Sequence, residues 1–245
     1  MSIESCPGGR IFLLSHMRAY TSLAAHILGS HPSINGYYEM HLGYEDAAAL
    51  TRQAAAYRQH EALKPGSRYL LDKLLHDDYG LRPERLGIAD LRILVSLAEP
   101  ARTIRSIVHL FAQKPDPAPY ASPVEAARYY MNRLRTLAAF CRTSDWPYHY
   151  FDAELLVQAP ETLLPKLAEW LELDTPLSVR YEVFGLTGKA RRGDTSARLL
   201  SGRIERVRSD YSAVQVPEDT LRAAAAVYRE CRAQIVAGAR DTALL

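Results

Sequence analysis

The chain holds 245 residues, 48% hydrophobic and 24% charged, an ordinary balance for one globular domain with a full core. A formal net charge of +2 is too small to argue for nucleic acid, although a local anionic ligand is compatible with it. Its three cysteines, Cys6, Cys141 and Cys231, lie far apart without a Cys-x-x-Cys pair, so neither a disulfide framework nor a zinc knuckle is indicated. No apolar run approaches the roughly 20 residues of a membrane span, and no secretory pattern opens the chain. These features read as a cytoplasmic protein without membrane insertion.

In chain order, "RIFLL" (10–14) is a continuous apolar run suited to a strand buried on both faces. "TSLAAHILGS" (21–30) places Leu23, Ile27 and Leu28 on one side of a helix, with Gly29 near its end and Pro32 beyond. "YEDAAALTRQAAAYRQHEAL" (44–63) reads as a second helix stopped by Pro65-Gly66. Strands follow at about 68–72 and 91–97, the latter leading into a helix, "PARTIRSIVHLFAQ", with Pro100 at its start. After the proline-rich "KPDPAPYASP" come a long helix (124–143) and a strand in "YHYFDAELL". "PETLLPKLAEWLEL" follows as a helical pattern interrupted by Pro165. A basic loop at 187–204 precedes a last helix at 217–239. Alternating strands and helices predict one α/β domain over 1–245 with a central, mainly parallel sheet flanked by helices. Ligands of such sheets bind beyond the carboxyl ends of the strands, which directs attention to 15–22, 72–76 and 98–106.

"SHMRAYTS" (15–22) occupies the first of these corners. Backbone N–H groups at a helix N-terminus, the charge of Arg18 and the hydroxyls of Thr21 and Ser22 would together cradle a phosphate. The glycines and lysine of a Gly-x-x-x-x-Gly-Lys-Ser/Thr loop are absent, with Ala19 and Tyr20 inside the turn, and a plain strand–helix corner accounts for the same residues. There is no Gly-x-Ser-x-Gly elbow and no histidine or carboxylate cluster at metal-ligand spacing, so neither an ordinary hydrolase nor a metal site is predicted.

Four stretches in order change the weight of these alternatives. Arg18-x-x-Thr21-Ser22 is followed by His31-Pro32 and Glu39; "ILVSLAEPARTIRSIVHLF" (93–111) combines a strand with Glu99-Pro100 and Ser106. "YHYFDAELLVQAPETLLPKLAEWLEL" and "GKARRGDTSARLLSGRI" (188–204) complete the set. The pattern resembles sulfotransferases that use 3′-phosphoadenosine-5′-phosphosulfate (PAPS), over residues 10 to about 205. That resemblance implies a P-loop NTPase-like three-layer α/β sandwich. It also implies transfer of a sulfuryl group from PAPS to a hydroxyl or amine of a small-molecule or carbohydrate acceptor, leaving 3′,5′-adenosine bisphosphate (PAP) without a metal. No nucleic-acid partner is implied, and family members are often monomers or homodimers.

By the same resemblance, Arg18, Ala19, Tyr20, Thr21 and Ser22 form the 5′-phosphosulfate turn, with Arg18 also stabilising the transferring group. Glu39 falls at the catalytic glutamate, and Lys73, after Asp72, faces the reacting centre. A histidine base, His41 or His76, is the alternative to Glu39. Ser106 binds the 3′-phosphate, but the arginine implied before it is Ala98 here. Arg102, one helical turn from Ser106, is the nearest substitute, and Lys189, Arg191 and Arg192 offer further charge. The segment 43–66 matches no shared pattern and is a candidate acceptor lid. A small-molecule kinase and a non-catalytic nucleotide-binding relative are the competing readings, the second prompted by Ala98.

Overall fold

The computed structural model describes residues 6–114, 119–189, 197–206 and 209–245. Six strands form one sheet: β1 (Gly9–Leu14), β2 (Ile34–Asn35), β3 (Tyr69–Leu74), β4 (Leu91–Leu97), β5 (Tyr148–Asp152) and β6 (Asp241–Ala243). Their spatial order is β2-β3-β1-β4-β5-β6, and every pairing is parallel. Seven helices connect or flank them: α1 (Thr21–Gly29), α2 (Ala48–Arg58), α3 (Pro100–Ala112), α4 (Pro123–Thr143), α5 (Leu155–Gln158), α6 (Pro160–Trp170) and α7 (Glu218–Gly238).

The unbroken apolar run of β1 follows from burial on both sheet faces. Ile11 and Leu13 join Ala24, Ile27 and Leu28 of α1 and Leu163 and Leu167 of α6. Phe12 and Leu14, pointing the other way, join Ile104 and Ile107 of α3, Tyr130 and Leu134 of α4 and Ile235 of α7. Helix, sheet and helix thus make three layers. Since β3 and β4 flank β1, the chain leaves β1 toward one face through α1 and leaves β4 toward the other through α3. A crevice opens at that divergence.

Two sequence expectations shift in detail. The strand expected at 68–72 runs on to Leu74, so Asp72 and Lys73 sit inside β3 rather than just beyond it. The helix expected over 44–63 contracts to 48–58, because Tyr44 is engaged elsewhere: it forms a bridge with Leu81, and its N–H donates to the Gly80 carbonyl at 2.8 Å. Two short edge strands, β2 and β6, were not expected. The turn out of β2 needs Gly36 in a left-handed conformation (φ 93°), where a Cβ would collide with the Leu71 carbonyl. Among the described residues no helix is long and apolar enough to cross a membrane.

One buried arginine fixes the strand ends that border the crevice. Arg133, on α4 and 4% exposed, donates from Nε to the Ser15 carbonyl (2.9 Å) and from a terminal nitrogen to the Leu74 carbonyl (2.6 Å). Its other terminal nitrogen pairs with Asp77 at 2.8 Å. The Leu74 carbonyl also accepts the Ser15 N–H at 3.2 Å, but the Ser15 carbonyl lies just beyond the end of β1, so without Arg133 it would be a buried acceptor lacking its donor, and Asp77 would lose its cation. We expect Arg133→Met to destabilise the fold by about 3 kcal/mol, lowering Tm in a circular-dichroism melt by roughly 10 °C. A change below about 2 °C would remove this role.

Candidate active site

The corner after β1 is held from three sides. Ser15 Oγ donates to the Ser96 carbonyl of β4 at 2.7 Å. His16 is wholly buried; its Nε2 accepts the Ala98 N–H at 3.0 Å, which leaves Nδ1 to donate to the Met17 carbonyl at 2.9 Å. Burial without a counter-charge pushes the His16 pKa down to about 4, and nearby Arg133 adds to the shift against the hydrogen bond to Met17. The Met17 N–H donates to the Tyr129 hydroxyl (2.8 Å), which in turn donates to the Leu75 carbonyl beyond β3 (2.7 Å).

Within this frame Arg18 (φ 65°) and Tyr20 (φ 55°) both adopt the left-handed conformation that glycine usually supplies. Each non-glycine residue so held costs about 1 kcal/mol. Ala19, between them, is fully buried against Ala98 and Ala153. Tyr20 offers no side-chain cap to α1, so the first turn of that helix opens on the crevice through its backbone and the Thr21 and Ser22 hydroxyls.

The crevice has a volume of about 710 Å³. On its floor Lys73, fully buried in β3, donates from Nζ to Ser22 Oγ at 3.0 Å and lies 3.4 Å from Glu39 Oε1. Lys73 therefore links the first turn of α1 to the segment after β2. Asp72 sets the position of that segment. Its Oδ1 accepts the N–H groups of Lys73 (2.8 Å) and Met40 (3.1 Å), and its Oδ2 accepts the Tyr44 hydroxyl (2.6 Å). Burial pushes the Asp72 pKa up to about 7, against these hydrogen bonds and with help from the charge of Glu39. His41, exposed, and His76, half-buried, line the same side, each near the Tyr79 ring. Desolvation lowers the His76 pKa although Glu39 pulls it upward.

At the other end Arg18 Nε donates to Ser106 Oγ at 2.9 Å, joining the corner to α3. Arg102 lies one turn earlier on α3, its guanidinium carbon 4.9 Å from the centre of the Tyr20 ring and 5.6 Å from that of Tyr211. The Tyr211 hydroxyl meets Ser106, Ser209 and Arg18. Burial alone would raise its pKa, but these hydrogen bonds and the Arg18 charge outweigh it and lower it.

Arg18, Tyr20, Thr21, Ser22, Glu39, His41 and Arg102 all line the crevice, Ser106 and Lys73 bond to its lining, and Ala19 lies beneath it. Lys189 is exposed and does not line it; Arg191 and Arg192 lie outside the described residues. No residue of 43–66 lines it either, although Tyr44 bears on it through Asp72. Sequence reasoning missed Tyr211, Arg198, Arg203 and Lys114 among the lining residues, and the clamps made by His16 and Tyr129. The two arginines belong to the loop flagged as basic, but spacing does not select them, and Tyr211 carries no motif. Among the described residues no group of three or more histidine, cysteine or carboxylate side chains has the arrangement of a metal site.

The raised Asp72 pKa has a thermodynamic sign. Between its ordinary 3.8 and about 7 the folded chain binds a proton that the unfolded chain does not. The resulting stability is complete below 3.8 and is lost as pH rises to about 7. Measured by urea unfolding, the stability of wild type relative to Asp72→Asn should fall by about 1.4 kcal/mol per pH unit across that window and then level. A difference that is flat or rises with pH would contradict the assignment.

No protein-family model matches the sequence, and no curated protein matches it. Solved structures do match the fold. The sulfotransferase domain from the curacin biosynthetic pathway superposes with a TM-score of 0.58 at 18% identity, covering 90% of this chain and 97% of that one. The sulfotransferase domain of the Synechococcus PCC 7002 olefin synthase superposes with a TM-score of 0.57 at 16% identity, covering 93% and 96%. With its parallel sheet and helices on both faces, the chain has the sulfotransferase-like α/β fold of these bacterial domains.

Proposed function

We propose that this protein is a sulfotransferase that takes a sulfuryl group from PAPS to a hydroxyl of a small-molecule or carbohydrate acceptor. The observation that carries the reading is Lys73, whose ammonium touches Ser22 on the phosphate-binding side and Glu39 on the acceptor side. Sulfuryl transfer needs both at once, since the acceptor loses a proton while negative charge gathers on the departing phosphate. The donor, when bound, supplies sulfur already activated by a phosphate leaving group.

The chain's own residues divide the remaining work. Thr21, Ser22 and the first-turn amides of α1 hold the 5′ end, with the helix dipole favouring its charge. Arg18 and Lys73 stabilise the charge that grows between sulfur and phosphate. Glu39 accepts the proton of the attacking hydroxyl, and Asp72, through Met40, keeps Glu39 beside Lys73. His41 and His76 lie within the same crevice and border the acceptor.

The residues also suit a 3′-phosphate. Ser106 is already paired with Arg18, and the buried Nε of Arg102 has no hydrogen-bond partner among the described residues. At Ala98, by contrast, an arginine would have nowhere to go, because the side chain is 1% exposed and packs on Ala19 and Ala153.

Differential scanning fluorimetry with PAP, AMP, ADP and magnesium-ATP tests the donor. PAP at about 100 times its dissociation constant should stabilise the fold by about 2.7 kcal/mol, well beyond the other nucleotides. A preference for magnesium-ATP would instead support a kinase. For Glu39→Gln, radiolabelled sulfate transfer should fall by about 10²- to 10⁴-fold while PAP affinity holds. Undiminished transfer would pass the role of base to a histidine.

A further inference from the structure

We propose that Tyr20 and Tyr211 form an aromatic clamp that presents the Arg102 guanidinium to a phosphate monoester, so that these two rings set the preference for a 3′-phosphorylated nucleotide. The inference rests on the donor reading above and names residues which that reading leaves without a role.

The first observation is the state of Arg102. Its carbon Cζ lies over both rings, its Nε is buried without a hydrogen-bond partner, and it makes no ion pair among the described residues. The neighbouring carboxylate, Glu99, is already committed to the start of α3, where it accepts the N–H groups of Ala101 (2.9 Å) and Arg102 (3.1 Å). A guanidinium held by ring faces keeps its N–H donors in its own plane, pointing away from the rings. Contact with the ring faces thus holds the cation without a carboxylate partner to consume the fork of donors that binds phosphate.

The second observation is the backbone at Tyr20. This residue is left-handed (φ 55°), where glycine would be unstrained. A glycine there would relieve the turn but leave Arg102 without its nearer ring. The third is the anchoring of the farther ring. The Tyr211 hydroxyl meets Ser106, the residue assigned to the same phosphate, and Arg18, which bonds to Ser106, and its ring also packs against His109 at 5.3 Å. The low pKa of Tyr211 agrees with an electropositive corner built to receive an anion.

The test reads a ratio of affinities. Dissociation constants for PAP and AMP are measured by titration calorimetry on wild type, Arg102→Ala, Tyr20→Leu, Tyr20→Phe and Tyr211→Leu. The two nucleotides differ only by the 3′-phosphate, so their ratio isolates that group from general damage to the site. Wild type should prefer PAP, and Arg102→Ala should erase most of that preference. Tyr20→Leu and Tyr211→Leu should each cut it by about tenfold. Tyr20→Phe keeps the ring in the same strained turn and should restore it. A wild-type ratio in Tyr20→Leu and Tyr211→Leu would overturn the clamp while leaving the donor reading intact. Absence of any PAP preference in wild type would overturn both.

Discussion

Three alanine side chains set how closely the strand ends approach one another. Ala19, Ala98 and Ala153, from the corners after β1, β4 and β5, pack with essentially no exposure, and His16 ties the amide of Ala98 back to the first corner. Cores of this density leave no slack for an added side chain. Much of the crevice follows from that contact. A long cation at position 98 is excluded, and the positive charge stands one turn into α3 as Arg102. Holding Ala19 inward keeps Arg18 and Tyr20, on either side of it, in left-handed conformations facing the crevice.

Buried charge is organised around the same frame. Lys73 and Asp72 are adjacent on β3 and point to opposite faces of the sheet. Lys73 is satisfied by Ser22 and Glu39, and Asp72 by two backbone amides and Tyr44. An unpaired charge at either position would be costly, so this pairing constrains where the Glu39 segment lies. Arg133 performs the equivalent service behind the site, donating to the Ser15 and Leu74 carbonyls at the ends of β1 and β3. The crevice thus sets charged groups among apolar walls such as Leu23, Leu75, Phe111 and Leu199, over a supported polar layer, and its two ends differ in chemistry. Glu39 and the histidines belong to the side proposed for the acceptor, Arg102 and Ser106 to the side proposed for the 3′-phosphate, and Arg18 is bonded to Ser106 from the corner after β1.

The parts of this arrangement legible in the sequence are those governed by local periodicity. The continuous runs of β1 and β4 and the long helices α3, α4 and α7 were readable because burial repeats along them. With two and three residues, β2 and β6 are too short for any period, and they exist only because β3 and β5 offer free edges. Arg102 and Ser106 could be paired in advance because residues four apart share a helix face. Arg18, Thr21, Ser22, Glu39 and Lys73 were named by resemblance to a motif order, and the fold brings them to one crevice. Tyr211 was invisible because more than a hundred residues separate it from the Ser106 it meets. Lys189 shows the converse: charge in a flagged loop does not say which side chain faces inward.

A crystal structure of the protein with PAP tests the account most directly. The 5′-phosphate is predicted on the first turn of α1, against Thr21, Ser22 and Lys73, and the 3′-phosphate against Ser106 and Arg102. A bisphosphate bound with its ends reversed would contradict the assignment of the crevice. So would one seated elsewhere, such as the neighbouring hollow lined by Glu99, Asp152 and Arg232.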